Sequence, residues 1–442
     1  MHGIVIEIRR EDIEKWGFSC GNVLKSVILC CMNYRITAPS AIEVTIALPA
    51  SKSISARALV ISALCRDECK LRNIAICDDT HALMQGLATM HGIMNVGAAG
   101  TAMRFLTAFH ACQQGHDVTI DGCERMHERP ISPLVEALKQ LGAKIEYKGR
   151  EGFPPLHIKG STLQGAQKVT MCGDVSSQFV TALMLIAPTI GGLEIELMGE
   201  IVSAPYIDMT IAVMHHYGID SQWNGNVISV PAGEFVSMPM EVEADWSSAS
   251  YWLALQALLP HSRISLKGLH QDSWQGDSRI LTFMQQLGMC TQWADDGTLH
   301  LDMSNTALCC CSTYADLNGT PDLAPTLIVL LCLLGRPFRL TGLRTLAIKE
   351  SDRLEALRIE LEKLGYLIQL EGSDAVSWHF QTCAPQSEIY LDSHGDHRLA
   401  MSLALATTRY PEIVITDVNV VEKSYPTFWK QLSKVGFSIK QI

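Results

Sequence analysis

The sequence lacks the features that would place the protein in a membrane, in an export pathway or on nucleic acid. Its longest apolar run near the middle of the chain, Leu327 to Leu334, is far shorter than the ~20 residues that a bilayer span needs. Residues 1–30 lack the basic start and the small-residue cleavage site of a signal peptide. A formal net charge of −11 argues against a surface that neutralises nucleic-acid phosphates. We therefore expect a cytoplasmic protein with no membrane or nucleic-acid partner.

The cysteines also lack a recognisable pattern, although the chain has 15 of them. No Cys-x-x-Cys pair occurs, and Cys309, Cys310 and Cys311 are adjacent, which suits neither disulfide pairing nor tetrahedral zinc. The sequence therefore predicts reduced cytosolic thiols.

A pair of helices recurs along the chain. One helix-like stretch ends in glycine, which adopts the left-handed conformation at little cost, and runs on into a strand-like stretch. A second helix, apolar on all sides and therefore buried, begins in small or charged residues 40 to 43 residues before each glycine. The glycines are Gly92, Gly142, Gly218, Gly288, Gly365 and Gly436, and the buried helices are predicted to begin at Lys52, Gly100, Ser176, Ser247, Asp322 and Asp396.

This regularity predicts an α/β fold built from six copies of one unit. Copies of about 70 residues suit two domains of three units better than a single core. The third copy ends near Val230, so we expect the chain to cross between domains within residues 232–243. Residues 1–31 do not fit the repeat, and we predict that they are disordered or result from an upstream start codon.

The polar starts of the buried helices predict an anion-binding cleft. The unpaired N–H groups and the dipole of a helix N-terminus attract anions, although any one start can be an ordinary cap. Arginine matches carboxylate and phosphate with two parallel hydrogen bonds, whereas lysine is a compact charge and a possible proton carrier. Cations at these starts and in clusters between the repeated units predict small substrates with phosphates and carboxylates, and they include Lys52, Arg57, Arg104, Arg125, Arg129, Lys349, Arg353, Arg398 and Lys423.

From Met32 onward, the motifs resemble those of the 5-enolpyruvylshikimate-3-phosphate synthase family, in order and over nearly the whole chain. The matching segments are Leu48-Pro49-Ala50-Ser51-Lys52-Ser53, Ala99-Gly100-Thr101-Ala102-Met103-Arg104, Arg125-Met126-His127-Glu128-Arg129-Pro130, Val175-Ser176-Ser177-Gln178-Phe179, Pro205-Tyr206-Ile207-Asp208, Pro321-Asp322, Lys349-Glu350-Ser351-Asp352-Arg353-Leu354, Asp396-His397-Arg398 and Lys423-Ser424-Tyr425-Pro426.

The resemblance implies two domains, each of three βαβαββ-like units with buried helices, in an inside-out α/β barrel that closes on substrate. We expect a shikimate 3-phosphate-side domain at residues 51–243 and a second domain at residues 32–50 plus 244–442. The implied enzyme is a monomer without metal or cofactor. It transfers the enolpyruvyl group of phosphoenolpyruvate to the 5-hydroxyl of shikimate 3-phosphate, in the biosynthesis of chorismate and aromatic amino acids.

The resemblance also implies ligands for both substrates. Shikimate 3-phosphate is expected to contact Lys52, Ser53, Arg57, Ser176, Ser177, Gln178, Ser203, Tyr206, Asp322 and Lys349. Phosphoenolpyruvate is expected to contact Lys52, Gly100, Arg125, Gln178, Arg353, Arg398 and Lys423. Asp322 is the expected base near the 5-hydroxyl and Glu350 exchanges the proton at C3, while Lys52 and Lys423 stabilise charge.

Other interpretations remain for single residues and for the function. Asp352 is expected to pair with a cation, His397 to be a structural histidine rather than a base or metal ligand, and Cys123 to be incidental. The family pattern has Gly or Asn where this chain has Ala50, Ala56, Ala98 and Thr345. The alternative functions are a transferase acting on UDP-N-acetylglucosamine and a catalytically silent ligand-binding relative.

Overall fold

The computed structural model describes residues 5–7, 32–165, 167–174, 176–303 and 312–442. Its helices are Lys52–Leu64 (α1), Asp78–Ala88 (α2), Gly100–Cys112 (α3), Ser132–Gln140 (α4), Ser177–Ile186 (α5), Ala204–His216 (α6), Trp246–Leu258 (α7), Ile280–Gln286 (α8), Ala324–Leu333 (α9), Arg353–Lys363 (α10), His397–Leu403 (α11) and Phe428–Lys434 (α12). Its strands are Val5–Glu7 (β1), Tyr34–Thr37 (β2), Glu43–Ala47 (β3), Lys70–Arg72 (β4), His91–Asn95 (β5), Asp117–Asp121 (β6), Lys144–Tyr147 (β7), Leu156–Lys159 (β8), Gln167–Cys172 (β9), Leu193–Met198 (β10), Gln222–Asn224 (β11), Val227–Val230 (β12), Met240–Glu241 (β13), Arg263–Lys267 (β14), Met289–Trp293 (β15), Leu299–Met303 (β16), Thr313–Asp316 (β17), Phe338–Thr341 (β18), Gln369–Glu371 (β19), Ala375–Trp378 (β20), Tyr390–Asp392 (β21), Ile413–Thr416 (β22) and Ser438–Gln441 (β23). Short 3-10 helices lie at Glu124–Glu128, Ala187–Ile190, Gly276–Arg279, Pro321–Leu323, Arg344–Ile348, Ala404–Thr408 and Val418–Lys423.

Four-stranded sheets repeat one arrangement of strands and helices. In the sheet of β5 to β8, the parallel strands β5 and β6 are joined by α3, and α4 leads into the antiparallel pair β7 and β8. The order along the chain is βαβαββ, and the sheets of β9 to β12 and β17 to β20 repeat it. The predicted α/β fold of βαβαββ units is therefore confirmed.

Strands from before residue 50 complete two further sheets. β3 lies parallel to β14, with Val44 opposite Ile264. β2 lies between β22 and β23 and is antiparallel to both, with Ile36 opposite Ile413 and Ile439. The first copy of the repeat has a three-stranded sheet instead, formed by β1, β4 and β13.

The described residues pack as two compact units. The first contains residues 5–6, the described part of Ser51–Val242 and Trp274–Gly276, and the second contains Glu7, residues 32–50, Glu243–Ser273 and the described part of Asp277–Ile442. Trp274–Gly276 thus packs with the first unit, whereas the sequence-based bounds put all of 244–442 in the second domain. Within residues 1–31 the structure describes only β1, so the prediction of disorder or an upstream start lies largely outside the described residues. Cys309, Cys310 and Cys311 also lie outside them.

The central helices are buried because they have no polar face. Every residue of α7 and of α9 is buried. Hydroxyls inside the second unit bond to one another: Ser250 Oγ lies 3.1 Å from Thr326 Oγ1, which lies 3.3 Å from Ser402 Oγ. Among the described helices, none is both long and apolar enough to cross a membrane. The predicted starts of the buried helices lie within two residues of those observed.

The repeated glycines end helices as predicted, with one exception. Gly142 has φ +94°, and Ala143 N donates to Leu138 O, which closes α4 in a Schellman-type turn. The glycines that follow α6, α8, α10 and α12 also have positive φ. The exception is Gly92, which lies inside β5. The prediction there was wrong because α2 ends at Ala88 in extended backbone.

We expect Gly142→Ala to lower the free energy of unfolding by about 1 kcal/mol, because a Cβ strains left-handed backbone. Nothing lies within 4 Å of the added methyl, so strain is the only expected cost. Gly149→Ala is the matched control: it adds the same methyl without positive φ, at 3.5 Å from Pro155, and should be nearly neutral. An equal loss of unfolding free energy in the two variants, measured by urea unfolding, would contradict this explanation.

Candidate functional site

In the first unit, the start of α1 places a lysine against a buried carboxylate. Ser51 caps the helix by accepting a hydrogen bond from Ile54 N at 3.4 Å. Lys52 Nζ lies 2.9 Å from Asp79 Oδ2, and its side chain is 17% exposed while that of Asp79 is 5% exposed. Ser53 follows in the same first turn. The ion pair places the ammonium group of Lys52 at the helix start, a position suited to contact an anion.

Arg57, one turn further along α1, is tied into the interior of the first unit. Its Nε donates to Thr210 Oγ1 at 2.8 Å, and its Nη atoms donate to Ser53 O at 2.8 Å and to Tyr206 O at 3.0 Å. Thr181 Oγ1 accepts a further bond at 3.3 Å. Burial lowers the pKa of Arg57 to about 10. The guanidinium therefore fixes the positions of Ser53 and Tyr206, both of which are predicted ligands of shikimate 3-phosphate.

The starts of α3 and α5 meet through a side-chain hydrogen bond. Gln178 Nε2 donates to Thr101 Oγ1 at 3.1 Å. Ser176 caps α5 by accepting from Gln178 N at 3.4 Å, and Ser177 is the first, buried residue of the helix. Two polar helix starts in the first unit are thus adjacent, as the anion-binding hypothesis requires.

Ser203, another predicted ligand of shikimate 3-phosphate, precedes α6 in left-handed backbone with φ +59°. Its carbonyl oxygen accepts a hydrogen bond from Tyr206 N at 3.0 Å. The contact of Arg57 with Tyr206 O joins this helix start to α1.

The structure places Arg129, rather than Arg125, beside Gly100. A Cβ on Gly100 would lie 2.8 Å from both Nη atoms of Arg129. Arg129 is 8% exposed, and its Nε has no hydrogen-bond partner among the described residues. Arg125 instead contacts Glu128 at 2.7 Å and is 39% exposed. Because α3 begins without a side-chain cap, its first N–H groups and this buried guanidinium together suit an anion.

In the second unit, Arg353 is the centre of a buried ionic network. Its side chain is 1% exposed. Nε donates to Asp396 Oδ2 at 2.7 Å, Nη1 to Asp322 Oδ1 at 2.9 Å and Nη2 to Glu350 Oε2 at 2.8 Å. Burial alone would lower the pKa of Arg353, but the three carboxylates outweigh it and raise the pKa. The network places the predicted base and the predicted proton-exchange residue on one guanidinium.

Further cations reach the same carboxylates. Arg398 Nη2 lies 2.9 Å from Asp322 Oδ2, Lys349 Nζ lies 3.5 Å from Asp322 Oδ1, and Lys423 Nζ lies 2.9 Å from Glu350 Oε1. Although burial opposes ionisation, Arg398, Lys349 and Arg353 hold the pKa of Asp322 well below its usual 3.8. Burial lowers the pKa of Lys349. Four cations thus surround three carboxylates, and the excess positive charge favours an anion.

Sequence reasoning missed functional neighbours that lie far away in the chain. The sequence motifs do not predict Asp79 as a site residue, and they include Asp396 as a helix start and in the Asp396-His397-Arg398 segment but not as a partner of Arg353. Asp277 is 5% exposed, contacts Ser247 Oγ through Oδ2 and has an Oδ1 without a partner among the described residues. Burial and the charge of Asp322 raise the pKa of Asp277 to about 7. Arg129 lies in the Arg125-Met126-His127-Glu128-Arg129-Pro130 segment, and its four-residue spacing from Arg125 is the signal in the sequence that could identify it.

Several residues were predicted to have structural roles or depart from the family pattern, and the structure shows their surroundings. Asp352 caps α10 by accepting from Glu355 N at 3.2 Å. Cys123 is a half-buried free thiol. Ala56 is buried in α1, and Thr345 Oγ1 is buried with no partner among the described residues. Within the described residues, no group of three His, Cys, Asp or Glu side chains is arranged to hold a metal ion, and His397 lies buried beside Asp396.

We expect Asp277→Asn to remove a pH-dependent loss of stability. The pKa of Asp277 is raised above its usual 3.8, so its stabilising contribution is complete below that pH and is lost as pH rises through about 7. Relative to the variant, the free energy of unfolding of the wild type should fall by on the order of 2 kcal/mol between about pH 5 and about pH 8. Urea unfolding at both pH values tests this, and a difference independent of pH would contradict it.

Similarity to known proteins agrees with these features. The family described as EPSP synthase (3-phosphoshikimate 1-carboxyvinyltransferase) matches residues 36–95 and 87–432. The 3-phosphoshikimate 1-carboxyvinyltransferase of Bacteroides fragilis strain YCH46 is 44% identical over 411 residues, which cover 92% of this chain and 99% of that protein. The protein of the same name from Cellvibrio japonicus is 35% identical and covers 91% of this chain and 100% of its own length.

A solved structure shows the same fold at low sequence identity. EPSP synthase from Acinetobacter baumannii superposes with a TM-score of 0.71 at 21% identity, over 93% of this chain and 100% of that one. The repeat architecture, the polar helix starts and the extent of the sequence matches agree, and the chain belongs to the EPSP synthase family.

Proposed function

We propose that this protein is a 3-phosphoshikimate 1-carboxyvinyltransferase of the shikimate pathway. It transfers the enolpyruvyl group of phosphoenolpyruvate to the 5-hydroxyl of shikimate 3-phosphate and releases phosphate. The observation that carries the proposal is the carboxylate of Asp322, held between Arg398, Lys349 and Arg353 in a network with excess positive charge. Such a network suits a reaction between two anions in which a hydroxyl must lose its proton.

The low pKa of Asp322 means that its carboxylate is ionised but only weakly basic without substrate. Its neighbouring cations stabilise the ionised carboxylate, so it is a weak base before substrate binds. Carboxylate and phosphate groups of the substrates compete for Arg398 and Lys349. As these cations turn to the substrates, the basicity of Asp322 rises and it can accept the proton of the 5-hydroxyl.

Glu350 is placed to exchange a proton with C3 of phosphoenolpyruvate. It lies between Lys423 at 2.9 Å and Arg353 at 2.8 Å, and the lysine can supply its proton. In the proposed reaction C3 gains a proton while the 5-hydroxyl oxygen bonds to C2, which gives a tetrahedral adduct of the two substrates that is not covalently attached to the enzyme. The C2–O bond to phosphate then breaks and C3 loses a proton, which restores the double bond.

Within the first unit, we propose that shikimate 3-phosphate contacts the polar starts of α1, α5 and α6, through Lys52, Ser53, Arg57, Ser176, Ser177, Gln178, Ser203 and Tyr206. Asp322 and Lys349 are its proposed ligands in the second unit. For phosphoenolpyruvate, the proposed ligands are Lys52, Gly100, Arg125 and Gln178 in the first unit, and Arg353, Arg398 and Lys423 in the second. The position of Arg129 beside Gly100 supports Arg129 as a further ligand of phosphoenolpyruvate. Arg129 is better placed for this contact than Arg125. We also propose a cytoplasmic monomer that binds no nucleic acid.

The test of the reaction is phosphate release from phosphoenolpyruvate, measured first with shikimate 3-phosphate and then with UDP-N-acetylglucosamine. Release only with the first substrate is expected. Release only with the sugar nucleotide would support the alternative transferase, and saturable binding without release would support a silent relative.

Asp322→Asn should lower kcat by about 100-fold or more, because an amide cannot accept the hydroxyl proton. Asp352→Asn is the matched control, because Asp352 caps α10 and Asn caps a helix as well as Asp does. Its kcat should stay within about twofold of the wild type. Similar losses in both variants would overturn the role of Asp322.

Arg129→Met should raise KM for phosphoenolpyruvate about tenfold or more, because it removes a charge-assisted contact to an anion. The melting temperature of this variant should not fall, because the substitution removes a buried guanidinium whose Nε has no hydrogen-bond partner among the described residues. Arg125→Met is compared in the same assay, and Arg150→Met on the surface controls for loss of charge. A larger effect from Arg125 would assign the contact to that residue instead.

A further inference from the structure

The turn that leads into α11 contains two consecutive residues in left-handed backbone. His394 has φ +51° and Gly395 has φ +66°. This conformation is cheap for glycine but costs a residue with a Cβ roughly 1 kcal/mol. The turn ends at Asp396, which accepts a hydrogen bond from Arg398 N at 2.9 Å and caps the helix. A strained turn therefore directly precedes two residues of the ionic network.

Glu360 holds this turn from α10. Its side chain is 1% exposed, and its Oε1 lies 2.8 Å from Nε2 of His394. Its Oε2 accepts from Asp392 N at 2.9 Å and from Lys363 Nζ at 2.7 Å. Asp392 Oδ1 in turn accepts from His394 N at 2.7 Å. One buried carboxylate thus bonds to both the backbone and the side chain of the turn.

The turn is attached to α10 at two points. Arg353, at the start of α10, bonds to Asp396 at 2.7 Å. Glu360 lies seven residues later, two turns along the same helix face, and bonds to His394. The two contacts fix the direction in which α11 begins. Arg398, in the first turn of α11, then reaches Asp322 at 2.9 Å.

The charges around His394 favour its protonated form. Glu360 and Lys363 face it from α10, and Asp392 faces it from the end of β21. The hydrogen bond to Glu360 raises the pKa of His394 above its usual 6.5, against a smaller opposing effect of burial. A raised pKa means that the ion pair contributes fully below about pH 6.5 and weakens as pH rises through the folded value.

We propose that Glu360 and His394 are positioning residues for phosphoenolpyruvate: they clamp the turn before α11 so that Arg398 and Asp396 are held in their binding arrangement. The inference rests on the proposed function, because Arg398 is a proposed ligand of that substrate. The two residues act through Arg398 and Asp396 rather than by touching the substrate.

The main variants are His394→Asn and Glu360→Gln. Asparagine tolerates left-handed backbone, so His394→Asn removes the charge without adding backbone strain. We expect each variant to raise KM for phosphoenolpyruvate about fivefold near pH 6, with kcat and KM for shikimate 3-phosphate within about twofold. For His394→Asn, the ratio of variant KM to wild-type KM should shrink as pH rises through the raised pKa of His394, because the wild type then loses its own ion pair.

Two further variants separate positioning from stability. Glu355→Gln removes an exposed ion pair with Arg358 on the same helix. Its KM for phosphoenolpyruvate, divided by that of the wild type, should be near one at every pH. His394→Gly relieves the backbone strain and should still raise KM for phosphoenolpyruvate. A KM ratio of His394→Asn to wild type that does not change with pH, or a lowered melting temperature with unchanged KM in either main variant, would overturn the proposal. If the wild type releases no phosphate, the proposed function fails. The affinity for phosphoenolpyruvate, measured by isothermal titration calorimetry at the same pH values, then tests whether Glu360 and His394 hold the turn before α11.

Discussion

The guanidinium of Arg353 bonds to three carboxylates in the interior of the second unit. Asp322, Glu350 and Asp396 reach it from separate segments, and each would be costly to bury without a positive partner. The planar fork of arginine can bond in several directions at once, which a single ammonium group cannot do with the same geometry. The starts of α9, α10 and α11 are therefore held together by one side chain, and the remaining cations of the cluster are arranged around this fixed frame.

The first unit buries an arginine without a carboxylate partner. Arg57 is also buried, but its partners are hydroxyl and carbonyl oxygens, so the effect of burial is not outweighed and its pKa is lowered. Neutral partners compensate a charge less completely than ionised ones do. The charge of Lys52 is balanced separately by Asp79. The two units thus use the same repeat of buried helices, but the first presents mostly hydroxyls and N–H groups whereas the second presents paired charges.

The repeat architecture could be predicted because its signals are local. Apolar helices, capping residues and helix-ending glycines each depend on a few adjacent residues, so the starts of α1 and α3 and the turn at Gly142 followed from the sequence. The prediction that Gly92 ends a helix was wrong because the sequence does not distinguish a glycine inside a strand from one after a helix. The site was predictable in type but not in detail. That Arg129 rather than Arg125 packs on Gly100 is decided by how the segment after β6 folds against α3, which no local pattern records.

The strands contributed by residues 34–47 have a consequence for how the chain is made. The sheet that contains β2 also contains β23, so its hydrogen bonds cannot all form until residue 441 has left the ribosome. The first unit is almost continuous between Ser51 and Val242 and can gain most of its contacts while synthesis proceeds. β3 must instead wait, unpaired, until β14 has been made, and β2 must wait for β22 and β23 near the end of the polypeptide. During that interval their free strand edges are exposed to other nascent chains, and early folding of the first unit shortens the stretch of polypeptide that is exposed with them.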